Sequence, residues 1–298
     1  SGIARVYEPG SIMKAVTVSA YLNERIGTPN TIIDVGEGMW FYGGKPLRDH
    51  ATGRISVATA LKKSSNIACA KMGLALGDKR FYGYLRAFNF GSKLGIDLPG
   101  EEFGILPRVK DWSMLTPTRI AMGQGIAVTG IQMISAYSAI ANDGVMMRPY
   151  IVDKIVAANG EIIRQNKPDV IGCPIRPEIA RQVREMLIGV TEEGGTGKKA
   201  VVPGYSVGGK TGTAQKVVDR TDGRKGKVYS NTDYFASFIG FVPASNPVFA
   251  VLVTVDRPEP QHTGGFVSAP AFAKIAAATA RYLEVPPDEP AEIEEEDE

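Results

Sequence analysis

Three short groups of polar residues, far apart in the chain, have the types and spacing of a serine acyl-transfer site. Ser11 and Lys14 form the pattern Ser-x-x-Lys, and Ser64-Ser65-Asn66 forms Ser-x-Asn. The third group is Lys210-Thr211-Gly212-Thr213. A serine hydroxyl is a weak nucleophile unless a base lies beside it, and these three patterns occur together in serine enzymes that form an acyl intermediate. The sequence therefore predicts acyl-enzyme chemistry if the fold brings the groups together.

The third group also fits a phosphate-binding loop, because Gly204, Gly209, Lys210 and Thr211 match Gly-x4-Gly-Lys-Thr. Such a loop follows a buried apolar strand and opens a helix, so that the helix N-terminal amides face the phosphates. Here Pro203 interrupts the preceding run, and the β-branched residues that follow are typical of a strand. We therefore favour the acyl-transfer interpretation.

The element that must present the first group is a predicted helix over residues 11–22. Ile12, Val16 and Ala20 recur at helical spacing. Ser11 lies at the helix start, where a serine also serves as a cap. Lys14 lies one turn later on the same face, a geometry that allows its amine to reach the hydroxyl.

The remaining predicted elements make the first half helical and the last third a sheet with a covering helix. Helices are predicted over 56–63 (capped by Ser56), 67–76, 81–88, 130–141, 177–191 and 269–283, strands over 205–218, 228–242 and 248–256, and a hairpin at Asn159-Gly160. Short connections between successive strands favour antiparallel pairing. Residues 31–53, rich in glycine and aromatic residues, are predicted to be a surface segment without regular structure.

Composition and charge are those of a soluble globular protein with an acidic end. The 298 residues are 44% hydrophobic and 22% charged, and no apolar run approaches the ~20 residues that span a bilayer. Residues 284–298 hold nine acidic and no basic side chains, so the rest of the chain carries +11 against a total of +2. We predict a disordered acidic tail over 284–298. The basic body suits an anionic membrane surface or a phosphate-bearing lipid, or is a scatter of surface lysines.

Neither the cysteines nor the histidines predict a metal site. Cys69 and Cys173 lie 104 positions apart, without metal-ligand spacing or a disulfide framework, and are predicted to be buried free thiols. His50 and His262 are the only histidines. No metal and no cofactor are predicted. The abrupt start, ten residues before Ser11, is interpreted as an artificial or processed end.

With the three groups in this order, the chain resembles the transpeptidase domain of class B penicillin-binding proteins, the FtsI-type cross-linkers of peptidoglycan in division and elongation. The resemblance covers nearly the whole chain. Its landmarks are Tyr7-Glu8-Pro9-Gly10-Ser11, Ser64-Ser65-Asn66, Gly95-Ile96-Asp97-Leu98-Pro99-Gly100-Glu101, Met122-Gly123-Gln124-Gly125, Asn142-Asp143-Gly144, Gly209-Lys210-Thr211-Gly212-Thr213-Ala214 and Gly264-Gly265. Seven landmarks in one order are far more specific than any one of them.

The resemblance implies an α+β fold of the penicillin-binding/β-lactamase-like transpeptidase type, an antiparallel sheet flanked by helices plus a helical subdomain. We expect a transpeptidase domain over 1–283, with a mainly helical subdomain at about 12–145 and the sheet with its covering helix at about 177–283. Family members have a helix and two sheet strands before the nucleophile. This chain is expected to lack them, which would leave one sheet edge open.

The resemblance also implies roles for the residues of the first two groups. Ser11 would attack the carbonyl between the two terminal D-alanines of a peptidoglycan stem peptide, with Lys14 as its base. Ser64 would relay a proton to the leaving nitrogen, and Asn66 would hold the substrate amide. Lys14 must be neutral for this, which burial and a nearby cation such as Lys210 favour.

The third group would bind the other end of the substrate. Lys210, Thr211 and Thr213 would hold its terminal carboxylate, and Gly212 would let the peptide approach and pair with the strand. The backbone amides of Ser11 and Thr213 would form the oxyanion hole. Gln124 would shape the site.

The expected partners are stem peptides, as D-Ala-D-Ala donor and as amine acceptor, and β-lactams. A membrane glycan polymerase and division or elongation proteins are also expected, and nucleic acid is not. The expected location is the periplasmic face of the bacterial inner membrane, through an anchor absent from this chain. Two alternatives stay open: a DD-carboxypeptidase or β-lactamase-type hydrolase, and a β-lactam sensor or scaffold without turnover. The Glu-x-x-Leu-Asn segment that class A β-lactamases use for deacylation is not found in the sequence.

Overall fold

The structure of the protein, a computed structural model, describes residues 2–220 and 226–290. The helices are α1 (Lys14–Asn23), α2 (Val57–Lys62), α3 (Asn66–Leu76), α4 (Asp78–Ala87), α5 (Thr116–Ile120), α6 (Gly130–Ala141), α7 (Pro177–Ile188) and α8 (Gly264–Tyr282). The strands are β1 (Val6–Tyr7), β2 (Ile32–Gly36), β3 (Met39–Tyr42), β4 (Lys45–Arg48), β5 (Gly53–Ser56), β6 (Val128–Thr129), β7 (Met146–Met147), β8 (Lys154–Val156), β9 (Ile162–Gln165), β10 (Val170–Gly172), β11 (Gly208–Asp219), β12 (Lys227–Val242) and β13 (Phe249–Asp256). Short 3-10 turns cover Gly10–Met13, Val109–Asp111 and Lys198–Ala200.

The main sheet is an antiparallel meander of β11, β12 and β13, with β12 in the centre. Its β-branched and aromatic residues suit a half-buried pleated surface. The pairing places Lys210 opposite Ile239, and Ser237 opposite Thr254. The antiparallel order is confirmed, and the strands lie where predicted except that β11 begins at Gly208, three residues after the predicted start. In the described part of the chain, β11 and β13 are the edges of this sheet.

Helix α8 packs on the sheet through small residues. Ala269 and Ala276 let the helix approach closely, and the Phe272 ring lies 4.7 Å from that of Phe238. The prediction that this helix begins at residue 269 is wrong, because it begins at Gly264. A Cβ at Gly264 would lie 2.0 Å from the Ser237 carbonyl oxygen, so the glycine there serves close packing and does not mark a loop.

Helix α1 is the centre of the helical half. Residues 14–22 are all buried, which explains why the apolar spacing there is continuous and not confined to one face. The chain enters the helix through the 3-10 turn Gly10–Met13, so the α-helix begins three residues later than predicted. Buried Tyr137 on α6 donates a hydrogen bond to the Ile12 carbonyl at 2.8 Å and ties this entry to the core.

The prediction that residues 31–53 lack regular structure is wrong. Strand β2 pairs with β5, and β3 pairs with β4 through a tight turn at Gly43 and Gly44, both with positive φ. Glycine supplies that backbone conformation without a steric cost. The glycines therefore mark turns between short strands, and the aromatic residues belong to the strands themselves. We call residues 32–56 the β2–β5 insert.

The prediction of disorder from residue 284 is also wrong where the structure describes the segment. Val285 is buried, and its carbonyl accepts a hydrogen bond from the Tyr205 hydroxyl at 2.6 Å. The Asp288 carboxylate accepts from the Ser206 backbone N–H at 2.8 Å and from the hydroxyls of Ser206 and Ser245. A carboxylate with several donors is held firmly, because hydrogen bonds to an ionised acceptor are strong. The rest of the predicted tail, 291–298, lies outside the described residues.

Three further features bear on the cysteines, on cofactors and on the membrane. Cys69 is buried as predicted, whereas Cys173 is exposed just after β10, so the prediction of burial is wrong for Cys173. Within residues 2–220 and 226–290, no group of histidine, cysteine and carboxylate side chains could hold a metal ion. None of the helices in the described ranges is long and apolar enough to cross a bilayer. The domain boundaries at about 145 and 177 remain a proposal.

Candidate active site

Ser11 lies on the 3-10 turn that opens α1, at the wall of a cleft of about 300 Å³. The turn is held by Gly10, whose N–H donates to the Gly123 carbonyl at 3.0 Å. Predicted site residues that line this cleft are Ser11, Asn66, Gln124 and Thr213. A larger cavity of about 460 Å³ between α6 and β13 contains none of the predicted site residues. The chemistry of the lining residues, and not the volume, identifies the smaller cleft as the candidate site.

Lys14 is fully buried, and its amine joins the first two groups. Its Nζ donates to the Ser64 carbonyl at 2.6 Å, to Asn66 Oδ1 at 2.7 Å and to Ser64 Oγ at 3.1 Å. Burial lowers the pKa of Lys14, because an ammonium loses its hydration there. Cys69 and Asp49 act in the opposite direction. The lowered pKa brings the amine closer to the neutral form that a general base requires.

The turn between α2 and α3 presents the second group to Lys14. Ser56 caps α2 by accepting from the Thr59 N–H, as the sequence predicts, and Ser65 caps α3 by accepting from the Ala68 N–H at 3.1 Å. Between the two helices Ser64 has a φ of +59°, a left-handed conformation that costs a non-glycine residue about 1–3 kcal/mol. Such strain persists only where the surrounding structure imposes it.

The third group lies on β11, with its lysine inside the protein. Lys210 is fully buried, and its Nζ donates to the Thr211 carbonyl at 3.1 Å. The Thr211 hydroxyl lies 2.7 Å from that of Thr196. Burial lowers the pKa of Lys210 well below its usual value, and the positive charge of Lys14 adds to this effect. The charge of Lys14 therefore acts on Lys210, whereas Lys210 is not among the groups that shift the pKa of Lys14, contrary to the expectation from the sequence.

Strand β11 packs directly against the turn that carries Ser11. A Cβ at Gly212 would lie 3.0 Å from Ile12 Cγ2 and 3.2 Å from the Pro9 carbonyl oxygen, so only glycine fits there without displacement. The role of Gly212 expected from the sequence is access for substrate, and the structure adds a packing role. Next to it, Thr213 is exposed, and its Oγ1 accepts from the Gly264 N–H at 3.2 Å.

Two polar residues of the cleft wall complete the geometry. Gln124 accepts a hydrogen bond from Arg119 at 3.2 Å through Oε1. Glu8 is expected from the sequence only as part of a turn, yet its Oε1 accepts from the Gly125 N–H at 2.9 Å and from the Tyr229 hydroxyl at 3.3 Å. Burial raises the pKa of Glu8. The signal that could have identified it is its place three residues before Ser11, which puts its side chain at the same cleft.

The structure brings all the predicted catalytic residues to one region. Ser64 and Asn66 contact Lys14, and Lys210 lies near enough for the charge of Lys14 to lower its pKa. Ser11, Asn66, Gln124 and Thr213 share the cleft. The catalytic roles, and the assignment of the Ser11 and Thr213 amides as the oxyanion hole, remain predictions.

A glycine pair tests how tightly the Ser11 turn is held. Gly123 and Gly125 both have positive φ, at +80° and +72°, so alanine at either carries the left-handed penalty of about 1–2 kcal/mol. At Gly123 the new Cβ would meet the Gly10 carbonyl oxygen at 2.1 Å, whereas at Gly125 no atom of residues 2–220 and 226–290 lies within 4 Å. We expect Gly123→Ala to lower the free energy of unfolding by about 1–3 kcal/mol more than Gly125→Ala. Urea titration measures the difference, and equal losses would contradict the packing described.

Comparison with known proteins identifies the family. Residues 2–277 match the penicillin-binding protein transpeptidase domain. Penicillin-binding protein PbpB of Mycolicibacterium smegmatis is 32% identical over 295 residues, covering 95% of this chain and 44% of the relative. Stage V sporulation protein D of Bacillus subtilis is 37% identical over 94% of this chain and 43% of its own length. A probable peptidoglycan D,D-transpeptidase PbpC of Pseudomonas aeruginosa is 34% identical over 95% of this chain and 47% of its own length.

Solved structures agree with the sequence matches. The apo transpeptidase domain of Burkholderia pseudomallei penicillin-binding protein 3 superimposes with a TM-score of 0.86 at 36% identity, covering 97% of this chain and 83% of that one. Penicillin-binding protein 3 of Mycobacterium tuberculosis, complexed with aztreonam, superimposes with a TM-score of 0.87 at 32% identity, covering 97% of this chain and 66% of that one. The predicted fold class is confirmed. The chain spans less than half the length of the three curated relatives above. It belongs to the penicillin-binding protein transpeptidase family, with relatives among the FtsI-type class B proteins.

Proposed function

We propose that this domain is a serine D,D-transpeptidase that cross-links peptidoglycan stem peptides, and that β-lactams acylate the same serine. The observation that carries the proposal is the buried amine of Lys14, hydrogen-bonded to Ser64 and Asn66 behind the cleft that Ser11 lines. The relative named a probable peptidoglycan D,D-transpeptidase and the aztreonam complex of a homologous protein support it.

In the first half-reaction, Ser11 Oγ attacks the carbonyl carbon between the two terminal D-alanines. The hydroxyl proton passes to neutral Lys14 Nζ, for which the lowered pKa of this buried amine is suited. The C–N bond then breaks, and a proton delivered through Ser64 Oγ, 3.1 Å from Lys14 Nζ, converts the leaving nitrogen to an amine. D-Alanine leaves, and the remaining peptide is held as an ester on Ser11.

In the second half-reaction, the amine of a neighbouring stem peptide attacks the ester carbon. A C–N bond forms, the bond from carbon to Ser11 Oγ breaks, and the amine proton returns to that oxygen through the same lysine and serine. Backbone amides of Ser11 and Thr213 stabilise the oxyanion in both steps, where loss of one such donor typically costs about 10²–10³ in rate.

Strand β11 binds the donor peptide. It is an edge of the described sheet, so an extended substrate can pair with it as an added strand. Lys210, Thr211 and Thr213 bind the terminal carboxylate, whose negative charge favours the protonated form of the buried Lys210 amine. Asn66 holds the substrate amide, and Gln124 shapes the cleft that both residues line.

We further propose that the domain works on the outer face of the bacterial inner membrane, where its substrate is located. Its partners there are a membrane glycan polymerase and proteins of division or elongation. The relatives that support this assignment include a sporulation protein and penicillin-binding proteins.

A turnover assay tests the proposed function. The purified domain is incubated with a stem peptide ending in D-Ala-D-Ala and an excess of an amine acceptor, and the products are followed by mass spectrometry. We expect a cross-linked product with release of one D-alanine per bond formed. If the peptide loses one D-alanine but does not gain the acceptor that is present, the domain is a carboxypeptidase. If a stable acyl adduct forms and no product is released, it is a sensor. Either result would contradict transpeptidation.

A further inference from the structure

Asp49 holds the strained turn of the second group, although no sequence motif marks it. It follows β4 and points its carboxylate at the start of α3. Its Oδ2 accepts from the Ser65 hydroxyl at 2.5 Å and from the Ile67 N–H at 2.9 Å. Its Oδ1 accepts from the Ala51 N–H at 3.1 Å. Hydrogen bonds to an ionised acceptor are roughly twice as strong as neutral ones, so this carboxylate fixes the turn on one side.

The backbone around Asp49 is itself fixed, which gives the carboxylate a rigid support. The Asp49 N–H donates to the Gly38 carbonyl at 2.9 Å, and β4 is paired along its length with β3. The neighbouring Arg48 carbonyl accepts from Asn66 Nδ2 at 3.2 Å. That contact orients the Asn66 amide so that its Oδ1 faces Lys14 Nζ at 2.7 Å. The β2–β5 insert therefore contacts Ser65 and Asn66 together.

We propose that Asp49 is a positioning residue for the acyl transfer, holding residues 64–66 so that Ser64 Oγ and Asn66 Oδ1 meet the Lys14 amine. This inference rests on the proposed function of that site. Ser64 keeps a left-handed backbone at φ +59° only if its neighbours impose it. Ser65 and Ile67 lie just after Ser64 in the chain. Their hydrogen bonds to Asp49 supply that constraint.

Asp49 has a second effect through its charge. The ionisable groups that act on Lys14 are Cys69 and Asp49, and Lys14 in turn acts on Lys210. Burial raises the pKa of Cys69 to about 11, so this thiol is uncharged at neutral pH. Among the described residues, the Asp49 carboxylate is therefore the negative charge that opposes the effect of burial on Lys14. Removing it should lower the pKa of Lys14 further, and neutral amine should then be present at lower pH.

Asp49→Asn tests both effects, because one of its oxygens becomes an NH₂ group. Either Ala51 or the Ser65 and Ile67 donors then lose their acceptor, and the charge is lost. We measure the second-order rate of acylation by a fluorescent penicillin between about pH 5 and pH 10, and thermal unfolding. The expected result is a rate lower by about 10–10²-fold, as small misplacements of catalytic groups produce. The acid limb of its pH profile should move to lower pH.

Two further variants separate position from charge. Asp34→Asn, an exposed aspartate in the same β2–β5 insert, is the matched control and should acylate like the wild type. Ser65→Ala removes the hydroxyl that donates to Asp49 and caps α3, but it keeps the charge of Asp49, so the rate should fall while the acid limb stays in place. If Asp49→Asn fails to fold, Ser65→Ala carries the test.

The outcomes distinguish this inference from the proposed function. If wild-type protein is acylated normally and Asp49→Asn matches it in rate and pH profile, the role of Asp49 is overturned while the enzyme assignment stands. A lower rate with an unmoved acid limb would overturn the charge effect. A wild-type rate in Ser65→Ala would overturn the positioning role. Absence of wild-type acylation would refute the proposed function itself.

Discussion

Ser11→Ala should take up no fluorescent penicillin, whereas the wild-type domain acquires one covalent label per molecule. Acylation requires an oxygen that attacks the lactam carbonyl, and we propose that this oxygen is Ser11 Oγ, at the wall of the cleft. The Lys14 amine does not substitute for this oxygen, because it is buried and already donates to Ser64 and Asn66. We expect complete loss of the label on a denaturing gel at concentrations that saturate the wild type.

The control for this change is Ser138→Ala, an exposed serine on α6 that lies outside the cleft. It should be labelled to the wild-type extent. Thermal unfolding should show that Ser11→Ala is folded, since the half-buried hydroxyl lies at the cleft and not in the core. A folded Ser11→Ala protein that still becomes labelled would refute the assignment of the nucleophile.

Lys14→Met should slow acylation by about 10²–10⁴-fold, the usual contribution of a positioned general base. Methionine fills the volume of the buried lysine chain without its amine, so the packing of α1 is preserved. The hydroxyl of Ser11 then loses the amine that we propose as the acceptor of its proton. Stopped-flow fluorescence measures the acylation rate at high penicillin concentration, which separates slow chemistry from weak binding.

The pH dependence of the acylation rate is an independent test of the role of the Lys14 amine. The pKa of Lys14 is lowered chiefly by burial, and the neutral amine is the proposed base. The wild-type acylation rate should therefore rise with pH along a limb that lies below the pH at which an exposed lysine titrates. Lys14→Met should lose this limb. Lys79→Met, an exposed lysine on α4, should keep both rate and limb. A wild-type rate in Lys14→Met would remove lysine from the mechanism.

Local patterns in the sequence are sufficient to predict the three groups and the elements that carry them. Ser56 is predicted as a cap and accepts from the Thr59 N–H. The β-branched residues after Lys210 predict a strand, which is β11. Such features depend on neighbours in sequence, so a single chain reveals them. The occurrence of all three groups in one order also indicates the family, because the combination is far more specific than any one group.

What the sequence does not reveal depends on contacts between distant residues. Asp49 lies in a segment predicted to be irregular, and its partners Ser65 and Ile67 come 16 and 18 positions later. The residues next to Asp288 in sequence are typical of a disordered acidic tail. Its carboxylate nevertheless accepts a hydrogen bond from Ser206, 82 positions earlier. Charge and composition describe a segment on its own, whereas these carboxylates are fixed by donors that only the folded chain supplies.

The most direct test of the proposed chemistry is to find which atom carries the acyl group. Wild-type domain is treated with penicillin, denatured in acid, digested and sequenced by tandem mass spectrometry. We predict that the mass of the opened penicillin lies on Ser11, with one adduct per molecule and unmodified Ser64 and Ser65. An adduct on either of those serines, or on any residue outside the cleft, would contradict Ser11 as the nucleophile and Lys14 as its base.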